Sequence, residues 1–250
     1  MTNKLPQITL AFWVMKICAT TLGETAGDLF SKTLGFGYAA SSLMLIGLFL
    51  VTLVCQLLAK SYHPALYWLV ILSTSTAGTT MSDYMDRTLG LGYATGTAIL
   101  LGCLLVVFGF WRVTAGSLDV TGIRTRRVEV LYWVAILFSN TLGTALGDFL
   151  ADDSGLGFAG GAALIGGLLV VLVIVAFTTK VSRVLLFWIA FVLTRPFGAT
   201  LGDFLTRGGD EGGLNFGTYG SSAALAAILA LFIIGTTIRR RQEATPKPAV

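Results

Sequence analysis

Charge is scarce in this sequence. Only 12% of its 250 residues are Asp, Glu, Lys or Arg, about half the share of an ordinary soluble domain. No long polar stretch remains from which a separate soluble domain could be built. Chemistry-bearing residues are equally thin. There is one histidine, His63, and the three cysteines Cys18, Cys55 and Cys103 stand singly in separate apolar segments. An odd number without a CxxC suggests neither a disulfide framework nor a zinc site, and all three read as small packing residues. HExxH, a nucleophile elbow and a Cys–His pairing are missing, which argues against an enzyme, and no cofactor is expected. The last two apolar segments contain no lysine, which disfavours a retinal-type pigment.

What the sequence has instead is hydrophobic length. Fifty-five per cent of the residues are apolar and the mean hydropathy is +0.81. Apolar stretches run roughly 9–31, 36–59, 65–86, 90–111, 129–151, 156–179, 184–206 and 214–238. Each, at about 22–25 residues, can cross a hydrocarbon core of roughly 30 Å with some tilt, and runs of that length satisfy their backbone as helices. The expected fold is therefore all-α: an integral membrane protein of eight transmembrane helices in one domain, 1–250. The first stretch superficially resembles a signal peptide. It contains Lys16 and Glu24, lacks a convincing cleavage site and matches three later segments, so it reads as mature structure.

Eight crossings put both termini on one side. That side collects twelve basic residues, from Lys4 through the loop Arg124, Arg126 and Arg127 to the tail Arg239–Arg241 and Lys247. The other side holds three, Lys32, Arg87 and Arg207, among Asp86, Asp152, Asp153, Asp210 and Glu211. This asymmetry predicts a membrane protein with both termini cytoplasmic. It also accounts for the net charge of +4 without nucleic acid as a partner. The basic loop and tail are placed to meet anionic lipid.

Internal repetition is the most specific signal. Aromatic-Trp pairs mark four segments: Phe12-Trp13, Tyr67-Trp68, Tyr132-Trp133 and Phe187-Trp188. A Gly follows each Trp by ten residues (Gly23, Gly78, Gly143, Gly198) and a small residue by fourteen (Gly27, Ser82, Gly147, Gly202). An Asp follows by fifteen: Asp28, Asp83, Asp148 and Asp203. After a short break, Gly-x-Gly-aromatic opens the second helix of the first three repeats, at Gly35, Gly90 and Gly155. The fourth departs, reading as a loop three residues longer with Asn215 at the second Gly position. Repeats cover about 9–60, 64–112, 128–180 and 183–238. The tryptophans stand 55, 65 and 55 residues apart, so the first two repeats map onto the last two with an offset of 120. This is a duplicated pair, with halves of about 1–118 and 119–250. An even number of spans per repeat keeps all four copies parallel and predicts a symmetry axis along the membrane normal, not an inverted repeat.

The aromatic-Trp pair, the Gly-x-x-x-small-Asp and the fourfold two-helix unit resemble a family of bacterial membrane-anchored proteins made of four tandem repeats of unknown function. The likeness runs roughly from Leu10 to Ile238. It implies the architecture and brings no activity with it.

Physical roles follow from the residues. Gly-x-x-x-Gly sets two small residues on one helix face, where another backbone can approach; this gives Gly23, Gly27, Gly78, Gly143, Gly147, Gly198 and Gly202 a packing role. Trp13, Trp68, Trp133 and Trp188 fall near the cytoplasmic helix ends and read as membrane-interface anchors. The aspartates lie about 22 Å beyond them along a helix. Either they cap four helix ends, or they form a ring of carboxylates around a central path that attracts cations.

Lys16, Thr20, Glu24 and Asp28 recur every four residues on one face. Glu24 lies near the midplane and is unmatched, its counterparts being Thr79, Thr144 and Ala199; at the Thr20 level stand Ser75, Asn140 and Arg195. An intramembrane charge costs several kcal/mol unless paired or hydrated, and usually marks function. Arg195 either bridges Glu24 structurally or acts as an electrostatic latch on an ion path, and Lys16 is near enough to the interface to snorkel. Carboxylate and hydroxyl oxygens suit hard cations such as H⁺, Na⁺, Mg²⁺ or Mn²⁺, and clustered carboxylates can exchange protons for a transported ion. The leading expectation is a transporter or channel for a small cation. Its path is formed by Glu24, Asp28, Asp83, Asp148, Asp203, Thr20 and Asn140, with Lys16 and Arg195 as electrostatic partners. A carrier of a small organic solute and a non-transporting scaffold or sensor subunit are the alternatives.

Overall fold

A computed structural model describes residues 4–123 and 125–244. Arg124, Lys247 and the side chain of Arg241, all counted in the charge asymmetry, lie outside the described residues. Among those described there are eight long helices and no strand: α1 (Leu10–Asp28), α2 (Gly37–Leu58), α3 (Pro64–Asp83), α4 (Tyr93–Ala115), α5 (Arg126–Asp148), α6 (Gly157–Thr178), α7 (Arg183–Thr206) and α8 (Gly217–Ala244). Local sequence sets their starts. Thr9, Thr125 and Ser182 accept a backbone N–H at the N-caps of α1, α5 and α7, and Pro64 opens α3, as the orphan donors of a first turn require.

In the first three repeats a π-helical turn follows the odd-numbered helix, at Leu29–Thr33, Tyr84–Thr88 and Phe149–Asp153. Two glycines with positive φ then launch the next helix, as at Gly35 (73°) and Gly37 (74°). The fourth repeat corrects the sequence reading. Asn215 (57°) and Gly217 (68°) hold the left-handed positions, so Asn215 replaces the first glycine of the pair, not the second. Gly35 follows Asp28 by seven positions and Asn215 follows Asp203 by twelve, an insertion of five. Asn is the residue that best tolerates this conformation after Gly.

The four Trp-bearing helices form the centre. α1 and α5 each pack against both α3 and α7, closing a ring. Glycines set its diameter. A Cβ on Gly23 would collide with Ser75, one on Gly78 would come within 2.9 Å of the Asn140 carbonyl carbon, one on Gly143 would strike Arg195, and one on Gly198 would lie 2.5 Å from Thr20 Oγ1. Each repeat's glycine thus abuts the same register position of the next repeat, and the fourth returns to the first. One turn later Gly27 faces Thr79, Gly147 faces Ala199 and Gly202 faces Glu24.

The even-numbered helices form an outer shell. Each covers the inner helix of the following repeat: α2 on α3, α4 on α5, α6 on α7, and α8 on α1. Their outward faces are apolar and exposed, as at Leu43, Val51, Val113, Phe177 and Leu231. Six helices, all but α1 and α3, are long and apolar enough to cross a membrane. α1 and α3 fall short because Lys16, Glu24, Asp28 and the run Ser73-Thr74-Ser75-Thr76 face other helices, where polarity is matched by protein and not by the surroundings.

The tryptophans also correct an expectation. Trp68, Trp133 and Trp188 are buried inside the bundle, and Trp13 is half-buried. They pack with Phe12, Tyr67, Tyr132 and Phe187 in an aromatic layer that closes one end of the ring. The outer helices cover the rings that lipid was expected to meet. Trp188 Nε1 accordingly donates to the Leu118 carbonyl (2.9 Å), satisfying the indole within the protein.

Candidate functional site: a charged column on the ring axis

Because the four inner helices share one register, residues four apart stack into layers along the axis. The layer seven residues past Trp holds Thr20, Ser75, Asn140 and Arg195, every one fully buried. The next holds Glu24, Thr79, Thr144 and Ala199; then come the four aspartates; then Lys32, Arg87, Asp152 and Arg207.

Arg195 rises from its own layer into the one above. Its Nη2 lies 3.0 Å from Glu24 Oε2, 2.6 Å from Thr79 Oγ1 and 2.6 Å from Thr144 Oγ1. Both threonines lie 3.3 Å from the same Glu24 oxygen as donors. One guanidinium nitrogen therefore meets three equivalent positions of the repeat, and Ala199, the fourth, leaves the space open. Arg195 and Glu24 do pair, inside a four-residue network.

Asp28, Asp83, Asp148 and Asp203 are all buried, and none makes a side-chain cap to its helix end. They pair instead with cations one turn on. Lys32 Nζ is 2.7 Å from Asp28 Oδ1 and 3.8 Å from Asp83 Oδ2. Arg87 reaches Asp83 (2.8 Å), Asp148 (3.6 Å) and Asp152 (3.7 Å). Arg207 meets Asp203 (3.3 Å) and Glu211 (3.6 Å). Burial pulls the Arg207 guanidinium toward neutrality, but Asp203 and Asp28 outweigh it and leave its pKa raised, so it stays charged. The cations are 26–30% exposed and the aspartates at most 5%, so the ring is reached from this end through its basic collar.

The structure brings Glu24, Asp28 and Asp203 closest: each offers a carboxylate oxygen, all within 4.8 Å of one another. Asp83 and Asp148 join through Lys32 and Arg87. Thr20 and Asn140 sit one layer below the acids. The Thr20 hydroxyl bonds to the carbonyls of Lys16, Ile17 and Thr194, and Asn140 takes Lys16 on its oxygen (3.5 Å) and donates to Thr74 (2.9 Å). Lys16 does not snorkel. It is fully buried, with Nζ 4.2 Å above the Phe191 ring, because its helix face points to the axis. Sequence reasoning missed the collar, although Asp28–Lys32, Asp83–Arg87 and Asp203–Arg207 carry the four-residue spacing of helical ion pairs. It also missed Thr79 and Thr144 as partners of Arg195, which the shared Trp register could have revealed.

These features define a class: a closed ring of four parallel two-helix repeats around a charged column. Residues 11–62, 66–117, 131–182 and 186–242 match four successive copies of a unit described as a Repeat of Unknown Function (DUF347), and the chain belongs to that family. No curated protein and no solved structure matches it.

Proposed function

We propose that the protein is a carrier of a small hard cation in a bacterial inner membrane. In this reading all eight helices span the bilayer, both termini are cytoplasmic, and the ion binds between Glu24, Asp28 and Asp203. The observation that carries the reading is the approach of three buried carboxylate oxygens to within 4.8 Å of one another, the donor set a hard cation prefers. Charge counting sharpens it. Glu24, the four aspartates, Asp152 and Glu211 face Arg195, Lys32, Arg87 and Arg207, so acids outnumber bases in the network. A bound H⁺ or Na⁺ offsets part of that excess, and Arg195 then acts as the latch that competes with the ion for Glu24.

The topology rests on the apolar outer shell and on the basic residues gathered at one end. There Lys4 pairs with Glu129 (2.8 Å) and Arg240 donates to the Tyr62 carbonyl (2.7 Å). Purified protein in proteoliposomes is expected to carry Na⁺ or H⁺ in a cation panel with and without a pH gradient, and Glu24→Gln to abolish that flux while remaining folded. Undiminished flux in Glu24→Gln would sink the site. A folded wild type that moved no cation would favour the second reading, a non-transporting scaffold. That reading draws on the closure of the axis by the aromatic layer, where the Tyr67 and Tyr132 hydroxyls meet at 2.7 Å.

A further inference from the structure

Lys16 takes no part in the acidic site above, and the surroundings that should compensate it are incomplete. It is fully buried, and no carboxylate reaches it among the described residues. Its ammonium has three N–H groups, yet the contacts made are one oxygen at 3.5 Å, Asn140 Oδ1, and the face of Phe191. One layer up, Arg195 spends a single nitrogen on Glu24 and the threonines. Its Nε and Nη1 are buried and meet no acceptor, and neither does the buried hydroxyl of Ser75 on the helix opposite. Lys16 and Arg195 thus leave unused donors in adjoining layers of the ring, and Ser75 adds another where its hydroxyl lies against Gly23. Below them, at the Lys16 level, lie the apolar Ile71, Ile136 and Phe191.

Donors without acceptors are the complement of an anion, whereas a cation would meet the basic side chains of Lys16 and Arg195. Water would satisfy some of the N–H groups but would leave the Lys16 charge unmatched, and an unpaired ion removed from solvent carries a heavy desolvation cost. Buried polar groups in native proteins are nearly all bonded, so orphaned donors in such a cluster call for an occupant. We propose that Lys16, Arg195, Ser75 and Asn140 frame a binding site for a small monovalent anion of halide type. The enclosing residues are wholly buried, which favours a compact and weakly hydrated ion over a phosphate or carboxylate. Arg195 stands between the two sites and is shared by both. The anion site stands on its own donors and does not depend on the carrier reading.

The test uses the full-length protein in detergent at fixed sodium and fixed ionic strength, exchanging chloride for gluconate. Wild-type thermal stability is expected to rise saturably with chloride, by roughly 3–5 °C per tenfold increase above the dissociation constant. Lys16→Met fills the same volume without charge. It is expected to lose the chloride response and to be at least as stable as wild type in gluconate. Bromide-soaked crystals of the wild type supply a readout independent of any variant, with one anomalous peak expected between Lys16 Nζ and Arg195. A wild type indifferent to chloride, a Lys16→Met protein that keeps the response, or a bromide map with no peak at that position each overturn the proposal. Sodium is constant throughout, so failure here leaves the cation-flux experiment untouched, and the reverse holds too.

Discussion

α5 and α6 are consecutive in the chain, yet 67% of the apolar stretch of α5 is buried and only 11% of that of α6. Their mean hydropathies run the opposite way, 1.4 against 2.6. In a water-soluble fold the more apolar helix is the more buried one. Here polarity is gathered inward and the hydrocarbon faces out, as an apolar medium around the protein would require. The comparison teaches where each kind of helix draws its stability. The inner helices rely on close contact through glycine and on matched charges. The outer ones rely on apolar faces that tolerate change.

The largest expected effect separates the two by steric means. Gly198→Leu drives a side chain into Thr20 on the neighbouring helix and is expected to abolish folded protein, read as loss of the monodisperse peak in size-exclusion chromatography. Gly102→Leu on α4, where a Cβ meets nothing within 4 Å, is expected to leave that peak unchanged. Equal damage at both sites would break the contrast.

Next is the buried pair. Arg195→Met strands Glu24 without its cation and should cost about 3–5 kcal/mol in reversible unfolding. Adding Glu24→Leu is expected to recover most of that, since replacing both members of a buried pair by apolar groups is often neutral. A double variant no better than the single would mean that the threonines, not the charges, hold the ring together.

Smaller effects test the two ends of the axis. Tyr67→Phe removes one of the two facing hydroxyls, which should cost about 1 kcal/mol. Arg207→Gln opens a collar ion pair whose cation is a quarter exposed, so its effect on stability should stay within about 1 kcal/mol. The same change removes a positive charge beside Asp203 and is expected to raise cation affinity about tenfold, measured by isothermal titration. A loss of affinity would place the ion elsewhere.

The repeat and its register were readable because Trp, Gly and Asp recur at fixed spacing, and that spacing alone put Glu24, Thr79 and Thr144 on one level. Ring order was not readable. Gly23 carries no mark saying that it meets Ser75 of the next repeat; that contact exists only once the helices have closed. Trp68 and Trp133 look the same in sequence whether lipid or an outer helix covers them. The collar escaped because the apolar stretch ends before Lys32 (the π-helical turn carries the helix one turn further and brings the ammonium back over Asp28). Asn215 was shifted by its repeat's insertion, which only the backbone dihedrals located.

The way each outer helix leans on the following repeat, with α8 returning to α1, bears on how such a chain could have arisen. A polypeptide ending after Ala115 would leave α4 with nothing to cover and α1 bare. A second copy in the same orientation would supply both needs, so a half-length ancestor, as the offset of 120 residues implies, would have been an obligate homodimer. Segments 1–118 and 119–250 expressed together should accordingly reassemble, while either one alone should not. Fusion changed what the axis could hold. In a symmetric dimer every axial residue appears twice, so one Glu brings a second and one Arg brings a second. Joined in one gene, the halves were free to differ, with Glu24 where its counterpart is Thr144 and Arg195 where its counterpart is Ser75. The single ion pair at the centre is a chemistry that two identical chains could not have made.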